Sequence, residues 1–250
     1  MMSLSDKIKP LIVFSVSSLG ISMVINRSIF RTFCSYFRNK VDSVRPYRVV
    51  LTGGPCAGKS SALHMLTTTL QKTYSVYTVP ETSTILLSNG CKYPGIDNLD
   101  LLYEYEYEYT QLQYAIENAF NSIAQKNFEI HGKKTIILYD RGILDIKAYV
   151  TESIWNRILI NLKVTEDDIL SRYDLVCHLV SAADGATEFY NHETNSSRTE
   201  SADEAKALDK CTRNCWKHHK DWHVIDNSTK FDVKIAKCTD LVLSKAKTFL

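Results

Sequence analysis

The chain has 250 residues, 44% hydrophobic and 23% charged, with a net charge of +2. That composition excludes a disordered or collagen-like chain, and the length suffices to bury one sizeable core. Glycine is scarce, 9 residues where a share of about 7% would supply about 17, and Gly53, Gly54 and Gly58 fall within six consecutive positions.

The charge is unevenly spread. Residues 1–46 carry seven basic side chains against Asp6 and Asp42, a balance of +5, whereas the other 204 residues carry 23 basic and 26 acidic groups. A slightly acidic body argues against a nucleic-acid partner, whose phosphates need a basic surface. Within the arm, Leu11–Ile25 is an uncharged run of fifteen residues. As a helix it would span about 22 Å, short of the roughly 30 Å hydrocarbon core, so it reads as a marginal anchor at most. In residues 23–40 a helix would place Arg27, Arg31 and Arg38 on one face and Ile25, Ile29, Phe33 and Tyr36 on another. A basic amphipathic stretch reads as a membrane-surface helix or a mitochondrial presequence, against the alternative of a disordered extension. Residues 1–45 are therefore an anchor or targeting arm and 46–250 the domain. The expected location is inside the cell, membrane-associated or mitochondrial. The seven cysteines are odd in number and irregular in spacing, which suits free thiols in a reducing compartment.

Arg48–Thr52 is a β-branched run that leads into GGPCAGKS, followed by helical apolar spacing at Leu63, Leu66 and Leu70. Strand, Gly-x-x-x-x-Gly-Lys-Ser, helix is the context that a phosphate-binding P-loop requires. Gly53 and Gly58 permit backbone conformations closed to residues with a Cβ, so successive amides can converge on phosphate oxygens. The nucleotide site is expected over Gly53, Gly54, Pro55, Cys56, Ala57, Gly58, Lys59, Ser60 and Ser61. Lys59 reaches the β- and γ-phosphates, and the Ser60 hydroxyl is placed for Mg2+. The expected ligand is a purine nucleotide, ATP or GTP, with Mg2+.

Further strands are expected at Ser75–Val79, Lys134–Tyr139, Asp174–Val180 and Trp222–Ile225, with helices between them. This alternation predicts an α/β fold, a three-layer P-loop NTPase of the kinase-like type with a parallel sheet between helices. Residues 101–125 hold a trap: Tyr103 to Tyr109 alternate with glutamates like a strand. Over a longer window Leu102, Tyr105, Tyr109, Leu112, Ile116, Ala119 and Ile123 form one helical stripe, so a helix with that apolar face inward is expected.

Two carboxylates stand at strand ends, where ligands bind in such sheets. Asp140 closes an apolar strand, the place of a carboxylate that holds Mg2+ through water. Glu81 ends another, where it can take a proton from a substrate hydroxyl. The alternatives are helix capping or an ion pair with Arg141. Arg198, ahead of a helix that starts near Ser201, is a candidate to close over the phosphates. Cys211, Cys215 and His218 share a helical face, for which a cysteine-bearing core face is a better reading than zinc. Asn39-Lys40-Val41-Asp42 matches a guanine-reading pattern, but it precedes the phosphate loop and is discounted.

RVVLTGGPCAGKS, VPETSTILLSNG, YDRGILDIKAYV, DLVCHLVSAADGATEFY, SSRTESADEAKALDK and HVIDNSTKF, in order over about residues 47–235, resemble the NadR/Ttd-type AAA domain. The likeness is strongest to its TRPL translocation defect branch. The resemblance implies nucleotide binding at Gly53–Ser60, Asp140 and Arg141 as an Asp-Arg-Gly element, and Glu81 on the substrate side. It also implies Arg198 as a lid arginine and Asn227 near the base. Animal members of this family bind GTP and acidic phospholipids and serve membrane trafficking, while bacterial relatives phosphorylate nicotinamide riboside. Those animal proteins have a further C-terminal region for which this sequence holds no counterpart, so lipid contact is expected through the arm. The resemblance therefore supports a nucleotide-dependent membrane or trafficking factor, with a small-molecule kinase acting on a nucleoside or riboside hydroxyl as the alternative. The acceptor is unknown.

Overall fold

The computed structural model describes residues 45–189 and 201–250, with the backbone of Val16–Ser17 and Gly20–Ile21. Contacts divide the chain between residues 43 and 44 into two units, each described by itself. In the first, Val16–Ser17 pairs antiparallel with Gly20–Ile21. The uncharged run at 11–25, weighed above as a helix, thus holds a strand pairing at its described residues. The amphipathic stretch at 23–40 and the Asn39–Asp42 pattern lie outside the described residues. No helix among the described residues is long and apolar enough to cross a membrane.

The second unit is built on five parallel strands: β1 (Tyr47–Thr52), β2 (Ser75–Val79), β3 (Thr135–Asp140), β4 (Leu175–Leu179) and β5 (Trp222–Ile225). Their order is β2-β3-β1-β4-β5. Among the described residues its helices are α1 (Lys59–Leu70), α2 (Thr82–Ser88), α3 (Leu99–His131), α4 (Glu152–Leu162), α5 (Glu166–Leu170), α6 (Ala202–Cys215) and α7 (Phe231–Phe249), with 3-10 stretches at Ile143–Tyr149 and Thr187–Phe189. The fold is the three-layer α/β arrangement of a P-loop NTPase.

Side-chain parity explains the layers. Tyr47, Val49, Leu51, Ile136, Leu138, Leu175, Cys177 and Leu179 enter one core with α1 and α7. The alternate residues Val50, Ile137, Tyr139 and Val176 enter the other with α3 and α4. Strands buried on both faces must be apolar throughout, which is why these runs do not alternate with polar residues. Strand order turns at β1, flanked by β3 and β4, so the carboxyl end of β1 opens onto the crevice where ligands bind in open sheets.

The long helix departs from expectation in rotation rather than in existence. It begins with the Asn98 side chain accepting from the Leu101 amide at 3.0 Å and ends at Gly132 in the left-handed region. Its buried residues are Leu102, Tyr103, Glu106, Tyr109, Thr110, Gln113, Glu117 and Ala124, whereas Ile123 is exposed. The inward stripe is thus partly polar. Glu117 is fully buried because Arg172 donates to it at 2.9 Å, the Tyr173 hydroxyl at 2.8 Å and Gln113 at 2.9 Å. A buried carboxylate is tolerable only with such partners.

Candidate functional site

Residues 53–58 leave β1 and turn into α1. Gly53 has φ +138°, and a Cβ there would stand 2.0 Å from the Leu179 carbonyl oxygen, so glycine is required twice over. Gly58, at φ +89°, precedes α1, and the Phe231 ring edge lies 2.8 Å from where its Cβ would be. The carbonyls of the loop face protein donors. Pro55 O accepts from the Ser181 hydroxyl, Cys56 O from the Ala182 amide at 3.2 Å, and Ala57 O from Lys234 Nζ at 3.0 Å. With its carbonyls held from behind by the loop after β4 and by α7, the segment is shaped to turn amides toward an anion. The α1 N-terminus, with Ser60 and Ser61 in its first turn, adds its unpaired amides and dipole.

Lys59 Nζ donates to Gly53 O at 2.9 Å and to Gly54 O at 3.0 Å. Burial, reinforced by the Arg141 charge and opposed by Glu81 and Asp140, lowers its pKa to about 8. Arg141 donates from Nε to Glu81 Oε1 at 2.6 Å and from Nη1 to Gly53 O at 3.3 Å. Burial works against ionisation of Glu81, but the Arg141 and Lys59 charges prevail and hold its pKa at about 2. Glu81 thus forms the ion pair with Arg141 that was its alternative reading, and Arg141 ties that carboxylate to the phosphate loop. Arg141 itself has φ +68°, a conformation costing about 1–2 kcal/mol outside glycine. Its amide bonds to Leu51 O at 3.0 Å, which fixes the turn beside the end of β1.

Asp140 pairs in register with Leu51. Its Oδ1 is buried without a hydrogen-bond partner, and burial raises its pKa despite the Lys59 charge. An orphaned carboxylate oxygen facing a lysine, with the Ser60 hydroxyl at the start of α1, is an all-oxygen donor set of the kind a hard cation takes. These residues fit Mg2+.

Three residues that sequence reasoning missed organise the site. Asp209 of α6 is buried and accepts from the Gly54 amide at 2.7 Å and the Ser181 amide at 3.1 Å, and its other oxygen meets His178 Nε2 at 3.2 Å. Asp145 bonds the Thr52 hydroxyl, the Gly142 amide at 3.0 Å and the Trp216 indole at 2.8 Å. Lys234 of α7 bonds Val180 O at 2.6 Å and Asn227 Oδ1 at 2.8 Å as well as Ala57 O. The signal for Asp209 was a carboxylate on the inward face of α6, at helical spacing from buried Ala205 and Thr212.

Asn227 donates to Ser181 O at 2.8 Å and Asp184 O at 2.7 Å. With its oxygen on Lys234, the side chain is spent on shaping the loop between β5 and α7. At the N-terminal ends of α1 and α7 lies a groove of about 540 Å³ bounded by Ser60, Ser61, His64, Met65, Phe231 and Asp232. Arg198 lies outside the described residues. Cys211 is exposed and Cys215 half-buried, so the core-face reading does not hold for Cys211, whose helix buries Asp209 and Thr212 instead. No metal-binding group of three His, Cys, Asp or Glu residues occurs among the described residues.

A family model described as an AAA domain matches residues 48–233. No curated protein matches the chain. Among solved structures, the deoxyadenosine kinase from M. mycoides with bound dATP aligns over 80% of this chain and 99% of its own, at 14% identity and a TM-score of 0.47.

Proposed function

The chain belongs to this AAA domain family of nucleotide-binding P-loop proteins, and from that premise we propose that it transfers the γ-phosphoryl group of ATP or GTP to a small-molecule hydroxyl. The observation that carries this reading is Arg141, bonded at once to Glu81 and to the Gly53 carbonyl. It joins an ionised carboxylate on the acceptor side to the loop that would hold the donor phosphates.

In the proposed reaction the amides of residues 56–60 and the Lys59 ammonium hold the β- and γ-phosphates. The purine packs in the groove bounded by His64 and Phe231. Ser60 and Asp140 would hold Mg2+, which would supply positive charge against the donor phosphates. Glu81 accepts a hydrogen bond from the acceptor hydroxyl and orients its oxygen toward the phosphorus. Its low pKa makes it a weak base, which suffices where the transition state is loose and the hydroxyl proton leaves late. Arg141 keeps Glu81 ionised and adds positive charge beside the loop. Arg198 is the proposed lid arginine.

The test is a screen of nucleosides and ribosides with labelled ATP and GTP, followed by competition between the two nucleotides. Transfer that Lys59→Ala abolishes and Glu81→Gln slows tenfold or more supports the reading. An unaffected Glu81→Gln rate removes Glu81 from its role. A second reading, a nucleotide-dependent membrane or trafficking factor, is favoured by the +5 balance of residues 1–46, which suits acidic phospholipids. Flotation of the full chain with anionic vesicles that changes with nucleotide, and is lost on deleting residues 1–45, would support it.

A further inference from the structure

The fold covers α3 on one flank and at its inner face, and leaves the other flank open. Toward α4 the Tyr103 hydroxyl accepts from Asn161 at 2.6 Å. At the inner face Asn121 donates to the Tyr139 hydroxyl of β3 at 2.8 Å, and Phe120 meets Tyr77 of β2 edge to face at 6.3 Å. Because β2 is the edge strand, the helix surface beyond Phe120 has no further strand to lie on. That surface carries Tyr105, Leu112, Ile116, Ala119, Ile123 and Ile130, which helical geometry sets within an arc of about 60°. Tyr105 and Ile116 lean on the core, and Leu112 is half-buried. Ala119 is exposed, and Ile123 and Ile130 are 59% and 73% exposed. An apolar row left open along a helix of 33 residues marks a contact surface.

We propose that this face joins two copies of the chain into a two-fold dimer through antiparallel α3 helices, centred between residues 117 and 118. The row has spacings of 7, 4, 3, 4 and 7 residues, which read the same in both directions. A second α3 laid antiparallel about that centre therefore sets Leu112 against the partner's Ile123, Ile116 against the partner's Ala119, and Tyr105 against the partner's Ile130. Self-complementarity of this kind is what a two-fold interface requires, since one patch must serve on both sides. The charges agree. Glu104 and Glu108 border the row in its first half and Lys126 in its second, all three exposed. Antiparallel docking brings Glu108 within one position of the partner's Lys126, whereas parallel docking would oppose like charges. Lys126 also bonds Glu129 along its own helix, and its three donors leave room for a second carboxylate. The glutamates on the border also set this face against an anionic bilayer. The dimer does not depend on the chemistry of the phosphate loop.

The test is sedimentation equilibrium of the full chain over a dilution series, with circular dichroism to confirm folding. The wild type should have a mass of twice 28.5 kDa at high concentration and dissociate on dilution, and its Tm should rise with concentration. Ile123→Lys and Ile130→Lys, each placing a charge at the apolar contact, should weaken the dimer about tenfold or more while keeping the wild-type circular dichroism. Lys126→Glu should weaken it about threefold or more, and adding Glu108→Lys to that variant should restore it. These two positions are exposed, so the charge exchange tests the face even where a lysine variant folds poorly. A full chain that stays monomeric at about 100 μM overturns the proposal, because a functional dimer needs tighter association than that. A dimer that survives both lysine variants unchanged places the interface elsewhere and overturns it as well. A double variant no tighter than Lys126→Glu alone overturns the antiparallel arrangement, and with it the self-complementary row as the reason for pairing.

Discussion

The Asp209 carboxylate accepts the Gly54 amide at 2.7 Å, and its Cβ lies 2.8 Å from where a Cβ on Gly54 would stand. A helix more than 150 residues downstream is thus keyed into the phosphate loop by one buried side chain. Burial opposes ionisation of Asp209, but His178 and the two amides keep its pKa low. Asp209→Ala leaves the Gly54 and Ser181 amides and His178 without their acceptor. We expect a loss of about 3 kcal/mol in urea unfolding, the range for stripping the partner from buried charged hydrogen bonds. Nucleotide affinity should fall at least tenfold, and Gly54→Ala should mimic both effects by displacing α6.

Lys59 makes nucleotide affinity pH-dependent. Phosphates favour the ammonium form, so the bound pKa rises above the free value of about 8. Binding then takes up a proton above pH 8, and affinity should fall up to tenfold per unit as pH rises from 8 toward 10. Calorimetry in two buffers of different ionisation enthalpy measures that proton directly.

Glu81 contributes stability with the opposite dependence. Its folded pKa of about 2 lies below its ordinary value of 4.5, so the contribution is complete above pH 4.5 and is lost as pH falls toward 2. Urea midpoints of wild type and Glu81→Gln should therefore converge on acidification across that window. Glu81→Gln also leaves Arg141 underpaired, and at pH 7 it should be the less stable of the two.

Asp140 should show the separation typical of a binding group. Its Oδ1 has no partner in the fold, so Asp140→Asn should cost under about 1 kcal/mol of stability. The same change should remove most of the Mg2+ dependence of ATP binding, read by titrating Mg2+ against fluorescent ATP. If Mg2+ dependence is unchanged, Asp140 is not the cation's partner.

Glu117 is the structural contrast. Glu117→Leu leaves the Arg172 guanidinium and the Tyr173 hydroxyl without their acceptor, and should destabilise by about 3–5 kcal/mol, as breaking a buried pair does. ATP affinity at low denaturant should change little, because the charges acting on Lys59 are those of Arg141, Glu81, Asp140 and Asp145.

The phosphate loop was legible in the sequence because its chemistry is local. Gly53, Gly58, Lys59 and Ser60 act through spacing along the chain, and the positive φ of the glycines follows from the turn they must make. The strands were legible for a related reason: the doubly buried strands Tyr47–Thr52, Thr135–Asp140 and Leu175–Leu179 must be apolar runs, whereas the half-buried edge strands Ser75–Val79 and Trp222–Ile225 showed as short β-branched stretches. The rotation of α3 was not legible. Hydrophobic periodicity selected Leu102, Tyr105, Tyr109, Leu112, Ile116, Ala119 and Ile123 for the inner face, of which Leu102 and Tyr109 are buried, Tyr105 and Ile116 pack against the core, and Ala119 and Ile123 are exposed. The actual face holds Glu106, Gln113 and Glu117, because its partners Thr82, Arg172 and Tyr173 come from elsewhere in the sequence.

By itself the sequence determined that this is a parallel α/β domain with one phosphate loop, and that Glu81 and Asp140 stand at strand ends beside it. Only the tertiary structure decided what each polar group is for. Asp209 and Lys234 prove to be the loop's scaffold, Asn227 a loop brace, Glu117 a satisfied core charge, and Asp140 a carboxylate with an unpartnered oxygen. Local patterns encode backbone conformation and apolar burial, which are properties of neighbouring residues. Whether a buried carboxylate is paired depends on side chains that folding brings together from distant segments, and one-dimensional spacing carries no record of that.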